Sequence, residues 1–201
     1  HKQIIFILQN NKKKIGIIDY GMGNVGSIKN MFSKLDIWSE IIDNPSEITD
    51  KTAIILPGVG AFDSAVQKLK TLGFWNEIQN FVEKDNKPVL GICLGMQLFF
   101  EKSEEGNENG FSWFKGKLYK FKPSKNIRVP HMGWKKVTHN LNSKLFSNYD
   151  EFYFVHSYHA PVKLDPKLVT AYCKYDILFP AAIQKQNVTG FQFHPEKSLK
   201  F

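Results

Sequence analysis

Cysteine is scarce: Cys93 and Cys173 are the only two in 201 residues. Two cysteines cannot build a disulfide framework, and the default compartment for such a chain is a reducing cytoplasm. One of them is therefore available as a working thiol. Long apolar runs are missing as well. None reaches the ~18 residues a membrane span needs, so no membrane partner is expected. The apolar run near the start, Ile4–Leu8 in "HKQIIFILQNNKKK", falls short of the about 7–15 residues of a secretory core. Ile4–Leu8 reads as an extra strand, an interface segment or a stretch foreign to the chain, and residues 1–13 as an N-terminal extension or a foreign segment. His1 stands where a start would carry Met, so the true start is expected upstream. "PEKSLKF" has no closing element, so the C-terminus is expected to continue.

Acidic residues are also in deficit, 19 against 27 basic ones, and the net charge of +8 comes mostly from lysine. Nucleic-acid binding calls for clustered Arg and Lys interleaved with aromatics on one face. Here the lysines scatter, apart from Lys12–Lys14, which leaves a solvated surface and no nucleic-acid partner.

What is present suits one domain with a substantial core, since 42% of the residues are apolar. The first half alternates strand and helix. "KIGIIDY" leads to a helix over Val25–Leu35, followed by "IWSEIID" and "TAIILPG". Helices are expected over Ala61–Leu69 and Trp75–Glu83, then the strand "KPVLGIC", then a helix from Leu94 to about Glu101. Apolar runs bounded by Gly and Pro and separated by helical periods point to a parallel sheet with helices on both faces. After the loop Ser103–Gly110 the character changes. "FSWFKGKLYKF", "KKVTH", "EFYFVHSY", "VTAYCKY", "AAIQKQ" and "TGFQFH" are short, aromatic and alternating, so the second half is β-rich. The fold class is α/β, with both halves sharing one core.

"VLGICLGMQ" carries the strongest local signal. Gly91-Ile92-Cys93-Leu94-Gly95 is G-x-C-x-G between a strand and a helix, the thiol form of a nucleophile elbow. Small residues flank the nucleophile because it sits on a tight, strained turn. A helix N-terminus favours thiolate, and the backbone N–H of Leu94 is placed to meet an oxyanion. A thiolate needs a base, and "GFQFHPEKS" supplies His194 at a strand end with Glu196 two residues on. Glu196 can hold one imidazole nitrogen and leave the other facing the thiol, which is the logic of a triad. "IILPGVGAF" adds Pro57-Gly58-Val59-Gly60 just before a helix, where free N–H groups can bind a carboxylate or complete an oxyanion hole.

Other candidates read as structural. His156 and His159 in "HSYH" resemble a metal pair, but an offset of three in a strand puts them on opposite faces. With no cysteine or carboxylate cluster beside them, no metal site is expected. His139 lies in a polar turn. Cys173 shares a strand face with Val169 and Ala171 and reads as core. "RVPHMGWKKV" is a compact loop, Pro130–Trp134, whose Met132 and Trp134 suit either an interface anchor or a hairpin folded onto the core. "DYGMGNVGS" satisfies G-x-G-x-x-G at Gly21, Gly23 and Gly26, with Asp43 about twenty residues on. That is the dinucleotide fingerprint, and it keeps a nucleotide-binding alternative open. The same three glycines also serve as turn and packing positions.

Together these pieces resemble the class I (triad) glutamine amidotransferases, and within them the glutaminase subunits of imidazole glycerol phosphate synthase. "IGIIDYGMGN", "ILPGVGAF", "PVLGICLGMQL", "SEEG", "VPHMGW", "FYFVHSY", "FPAAIQ" and "GFQFHPEKS" occur in the family's order, over nearly the whole chain from Lys14 to Ser198. The resemblance implies a flavodoxin-like sheet in a single amidotransferase domain over residues 14–201. It implies that Cys93 attacks the side-chain amide of glutamine, that His194 moves the proton, and that Glu196 orients His194. Backbone N–H groups of Val59 and Leu94 would form the oxyanion hole. Gly58, Gly60, Gln97, Glu105, Ser157 and Tyr158 would bind glutamine. Ammonia would cross to a (β/α)₈-barrel cyclase that makes imidazole glycerol phosphate and an aminoimidazole carboxamide ribotide in histidine biosynthesis. Gly23, Asn24, His131, Met132 and Trp134 would lie at that interface. No cofactor is implied. The resemblance also implies a poor glutaminase in isolation, its oxyanion hole completed only when the partner binds ligand. A paralogous glutaminase feeding a synthase of amino sugars or surface glycans would carry the same triad. A non-catalytic module of the same ancestry would be expected to have lost a triad residue, and none is lost.

Overall fold

Three nearly continuous buried runs form the heart of the sheet. They are β1 (Ile15–Ile18), β3 (Ala53–Leu56) and β4 (Val89–Ile92), with β2 (Ser39–Ile42) at the edge. The computed structural model describes residues 14–125, 127–139 and 151–198, so the expected strand at Ile4–Leu8 lies outside the described residues. β1 pairs in parallel with β2 and β3, and β3 with β4. Alternation along the strands feeds two cores. Ile15, Ile17, Ile55 and Ile92 pack against Ile28, Met31 and Phe32 of α1 (Val25–Lys34). Ile18, Ile54 and Leu56 pack on the other face, against Phe62, Val66 and Leu69 of α2 (Phe62–Thr71) and Phe74 and Ile78 of α3 (Phe74–Gln79). Helices therefore cover both faces, as the sequence implies.

The chain then runs through α4 (Leu94–Gln97), β5 (Phe100–Ser103), β6 (Phe114–Lys120), β7 (His131–His139), β8 (Glu151–His156) and β9 (Tyr158–His159). It closes with β10 (Val169–Lys174), β11 (Leu178–Lys185) and β12 (Val188–Phe191). Among the described residues the main sheet has nine strands in the order β2-β1-β3-β4-β12-β11-β10-β7-β8, and β5, β6 and β9 form a smaller one. β12 lies parallel to β4, while β11, β10, β7 and β8 continue the sheet antiparallel. The last strand thus returns to the middle of the sheet.

Several local expectations change. The helix expected from Leu94 to about Glu101 stops at Gln97. The Leu98 and Phe99 carbonyls accept from the N–H groups of Phe111 and Phe114, and pairing with β6 outcompetes further helical turns. Pro130–Trp134 is no loop, because from His131 onward it pairs with β8, from His131↔His156 to Lys136↔Glu151. His139 is not in a turn either: it ends β7 opposite Ala171. Among the described residues Gly26 does no close packing, since a Cβ there would meet only Asn24 Oδ1 at 3.8 Å.

His156 and His159 do not lie on opposite faces. The strand breaks at Ser157, and both rings turn onto Phe121, at 5.4 and 4.7 Å between centroids. Among the described residues, no group of three or more metal-binding side chains forms. His131 Nδ1 meets His156 Nε2 at 3.0 Å, and both rings are buried. Burial pushes His131 down to about 4 and His156 to about 3. Below the ordinary histidine value of ~6.5 the unfolded chain therefore takes up protons that the folded chain refuses, and stability falls as pH falls. His131 alone accounts for roughly 3 kcal/mol by pH 4. The melting temperature is expected to drop steadily from about pH 6.5 downward; a melting temperature that stays level to about pH 4 would contradict this.

Candidate functional site

The register of β12 against β4 builds the site. Phe191 lies opposite Ile92, and the Phe191 carbonyl accepts from the Cys93 N–H at 2.7 Å. Cys93 follows one strand end and His194 the neighbouring one, so both emerge at the same edge of the sheet. Cys93 takes φ 53° and ψ −108°, a conformation an L-residue holds only at a cost of about 1–3 kcal/mol. The flanking glycines make the turn possible. A Cβ on Gly95 would sit 1.8 Å from the Leu56 carbonyl oxygen, and one on Gly91 2.6 Å from the Met96 nitrogen. The helix behind the thiol is only one turn long, so its dipole contributes less than a full helix does.

His194 Nδ1 is 2.8 Å from Glu196 Oε1, with both side chains almost fully buried. A carboxylate only accepts, so Nδ1 carries a proton. Among the described residues Nε2 is buried without a hydrogen-bond partner, on the side of the thiol. Burial alone would push the ring down, but Cys93 and Glu196 more than offset it and hold His194 up at about 9. The ring therefore keeps a proton through neutral pH and can deliver it to a leaving amine. The effect of Cys93 on Nε2 is electrostatic rather than an aligned hydrogen bond. Sγ makes its hydrogen bonds to the Val155 carbonyl and Gln192 Nε2, each at 3.8 Å.

A narrow cleft, partly open to solvent, lies beside the pair, lined by Gly23, Asn24, Pro57, Val59, His194 and Glu196 among others. It sits where β1 leads back to β2 on one side and β3 leads on to β4 on the other, the switch point at which open α/β sheets bind ligands. Tyr20, at the end of β1, donates its hydroxyl to the Pro57 carbonyl at 2.9 Å. Burial and the neighbouring Cys93 raise Tyr20 well above the ordinary phenol range.

The loop Pro57–Gly60 does not present an open oxyanion hole. Leu94 N–H donates to the Gly58 carbonyl at 3.3 Å, so the donor expected to face an oxyanion is occupied. The peptide is planar and trans, so the Val59 N–H points opposite to that carbonyl. Gly58 is closely enclosed: a Cβ would meet Tyr20 Oη at 2.7 Å and Leu94 Cβ at 2.8 Å.

None of Gln97, Glu105, Ser157 and Tyr158 lines the cleft. Gln97 is buried, and its amide NH₂ donates to the Tyr158 carbonyl and to Gln192 Oε1. Glu105 accepts from Phe62 N–H at 2.8 Å, satisfying the start of α2, where Ala61 offers no side-chain cap. Burial and the carboxylates of Glu105 and Glu104 raise Tyr158. The Ser157 carbonyl accepts from Phe121 N–H. Of the residues expected at an interface, Gly23 and Asn24 line the cleft, and Asn24 also caps α1 through Ser27 N–H. Met132 and Trp134 point outward, 58% and 41% exposed, but His131 is fully buried, because alternation along β7 turns it inward. Its side chain is corrected from interface to core. Cys173 is buried too, and burial pushes it up to about 12. Tyr20, Val155 and Gln192 were not picked out from the sequence. Only Gln192 left a signal, since it shares the strand face of His194 two residues on.

The profile of the class-I glutamine amidotransferase family matches residues 16–200. The chain belongs to that family. It is 46% identical over 190 residues to the "Imidazole glycerol phosphate synthase subunit HisH 2" of Methanococcus maripaludis, covering 93% of this chain and 94% of that one. It is 42% identical over 190 residues to the subunit of the same name from Pseudomonas aeruginosa, with the same two coverages. The fold superposes on a solved glutamine amidotransferase with a TM-score of 0.68 at 16% identity, covering 90% of each chain. As in that class-I family, the strand-to-helix elbow of this amidotransferase carries a cysteine. The glycine fingerprint after β1 therefore belongs to an amidotransferase cleft, and the dinucleotide reading is set aside.

Proposed function

We propose that the chain is the glutaminase subunit of an imidazole glycerol phosphate synthase, with Cys93 as nucleophile, His194 as base and acid, and Glu196 as the orienting carboxylate. One observation carries the reading: β12 returns beside β4 and sets the His194–Glu196 pair against the cysteine of the elbow, in a chain 46% identical to such a subunit.

Sγ, its proton already resting on the charged His194 ring, adds to the side-chain amide carbon of glutamine. The tetrahedral oxyanion collapses, the C–N bond breaks, and His194 gives its proton to the departing nitrogen, releasing ammonia. Water, deprotonated by the same ring, then cleaves the thioester to glutamate and restores the thiol. The N–H groups of Val59 and Leu94 serve the two oxyanions once the Gly58–Val59 peptide rotates. Gly58 lines the cleft on the glutamine side, with Gly60, Glu105, Ser157 and Tyr158 as further glutamine contacts from beyond the cleft, and buried Gln97 reaches the site only through Gln192.

Ammonia passes to a cyclase subunit with a (β/α)₈ barrel, docked over Gly23, Asn24, Met132 and Trp134. The exposure of Met132 and Trp134 on β7 supports this, since buried aromatic anchors dominate interface energetics. Trp134→Ala is expected to weaken association by at least about tenfold with the triad intact; unchanged affinity in calorimetry would remove Trp134 from the interface. Residues 14–201 act as one amidotransferase domain preceded by an extension. Both cysteines are free, which suits the cytoplasm, and among the described residues no helix is long and apolar enough to cross a membrane.

A second reading is a glutaminase for a related synthase of amino sugars or surface glycans, and the number 2 in the names of both relatives keeps it in view. Complementation separates the two. A histidine auxotroph lacking its own glutaminase subunit is expected to grow without histidine when it carries this chain with its cyclase. Failure of the folded, expressed pair favours the second reading.

A further inference from the structure

Two buried glutamines stand behind the thiol, and the reaction described above leaves Gln192 without a role. Gln192 is fully buried just beyond β12, and Gln97 is 5% exposed at the end of α4. Their hydrogen bonds form a chain. Gln97 Nε2 donates to the Tyr158 carbonyl at 3.1 Å and to Gln192 Oε1 at 3.1 Å. Gln192 Nε2 in turn faces Cys93 Sγ at 3.8 Å.

Chemistry forces the direction of this chain. A backbone carbonyl only accepts, so Gln97 must turn its NH₂ toward Tyr158. The same NH₂ meets Gln192, which must answer with its oxygen. An amide that presents oxygen on one side presents NH₂ on the other, and there lies Sγ. His156 Nδ1 also donates to the Tyr158 carbonyl, at 2.8 Å, so that carbonyl is anchored from two sides. One acceptor-only group thereby sets two side-chain amides and aims an N–H at the sulfur.

We propose that Gln192 is a positioning residue for the nucleophile, held in donor orientation by Gln97, and that its N–H favours thiolate over thiol. The proposal rests on the reading of Cys93 as the nucleophile. An N–H bonds an anionic sulfur more strongly than a neutral one. The other neighbour of Sγ, the Val155 carbonyl, acts in the opposite sense, because it accepts from S–H and so holds the thiol. Gln192 supplies the contact that survives deprotonation. The titratable groups around the sulfur are His194, with Glu196 and His156 interacting with it, and Tyr20 at the end of β1. All four stay in place in the variants below.

Iodoacetamide alkylation of the intact chain, read by mass spectrometry on the Cys93 peptide from about pH 5 to 10, tests the proposal. In Gln192→Met the apparent midpoint of the Cys93–His194 pair is expected to rise by about one unit, and the rate on the limb below that midpoint to fall about tenfold, as loss of one hydrogen bond to a charged group implies. Gln97→Met is expected to move the midpoint the same way by less, although residue 97 does not touch the sulfur. Midpoints that coincide with the parent chain, in variants with cooperative melting, overturn the proposal. Should Gln192→Met fail to fold, an unmoved midpoint in Gln97→Met overturns it alone. Alkylation of Cys93 that leaves glutamine turnover intact overturns the nucleophile assignment instead, so the two failures are distinct.

Discussion

Cys93→Ala abolishes glutamine-dependent product formation by the complex, while high ammonium still drives the cyclase. The expected loss is at least about 10⁴-fold, because removing the nucleophile of a triad costs nearly as much as removing the whole triad. The site has no substitute thiol: Cys173 is buried and pushed up to about 12. Alanine also suits the elbow, since the strain at φ 53° belongs to the backbone and the close contacts are made by Gly91 and Gly95. Binding of the partner should therefore persist. Steady-state assays with glutamine and with ammonium, on the same preparation, make the comparison. Retained glutamine turnover would falsify the mechanism, and loss of the ammonium-driven rate would point to a collapsed interface.

Glutaminase turnover is expected to rise about 10²–10³-fold when the cyclase binds together with its nucleotide ligand, the range one oxyanion donor contributes. In the free chain the Leu94 N–H is held by the Gly58 carbonyl at 3.3 Å, and planarity turns the Val59 N–H away. One rotation of the Gly58–Val59 peptide releases the first donor and delivers the second. The segment is built for such a movement. Pro57 is pinned by the Tyr20 hydroxyl, Gly58 carries no side chain, and Gly60 sits at φ +111°. Val59 is 44% exposed and lines the cleft, so a partner docked as proposed, over Gly23 and Asn24, would reach it directly. A glutamate-release assay with the chain alone, with the cyclase, and with cyclase and ligand measures the effect. Equal rates in all three would mean that the occupied donor is not what limits the free chain.

Much of this was legible in the sequence because it is local. Period-2 and period-3.6 patterns place β1, β3, β4 and the helices, and the glycines around Cys93 announce a turn that only small residues permit. His194-Pro195-Glu196 is a contact between near neighbours, so its bond at Nδ1 could be expected. Where local pattern misled, a distant segment had intervened. The helix after the elbow is shortened by the segment leading into β6, where Phe111 takes the Leu98 carbonyl and Phe114 the Phe99 carbonyl, and His131 is turned inward by its pairing with β8. His156 and His159 share a side only because the strand breaks at Ser157.

The sequence by itself therefore determined the α/β class, the elbow and the residue types on which the proposed chemistry rests. Tertiary structure alone decided that the final strand lies beside β4, so that residues 93 and 194 meet. It also decided that the Gly58 carbonyl occupies the Leu94 N–H, and that Gln192 faces the thiol. Each is a pairing between groups far apart in the chain, and such pairings depend on strand order and register, which no short window of residues encodes.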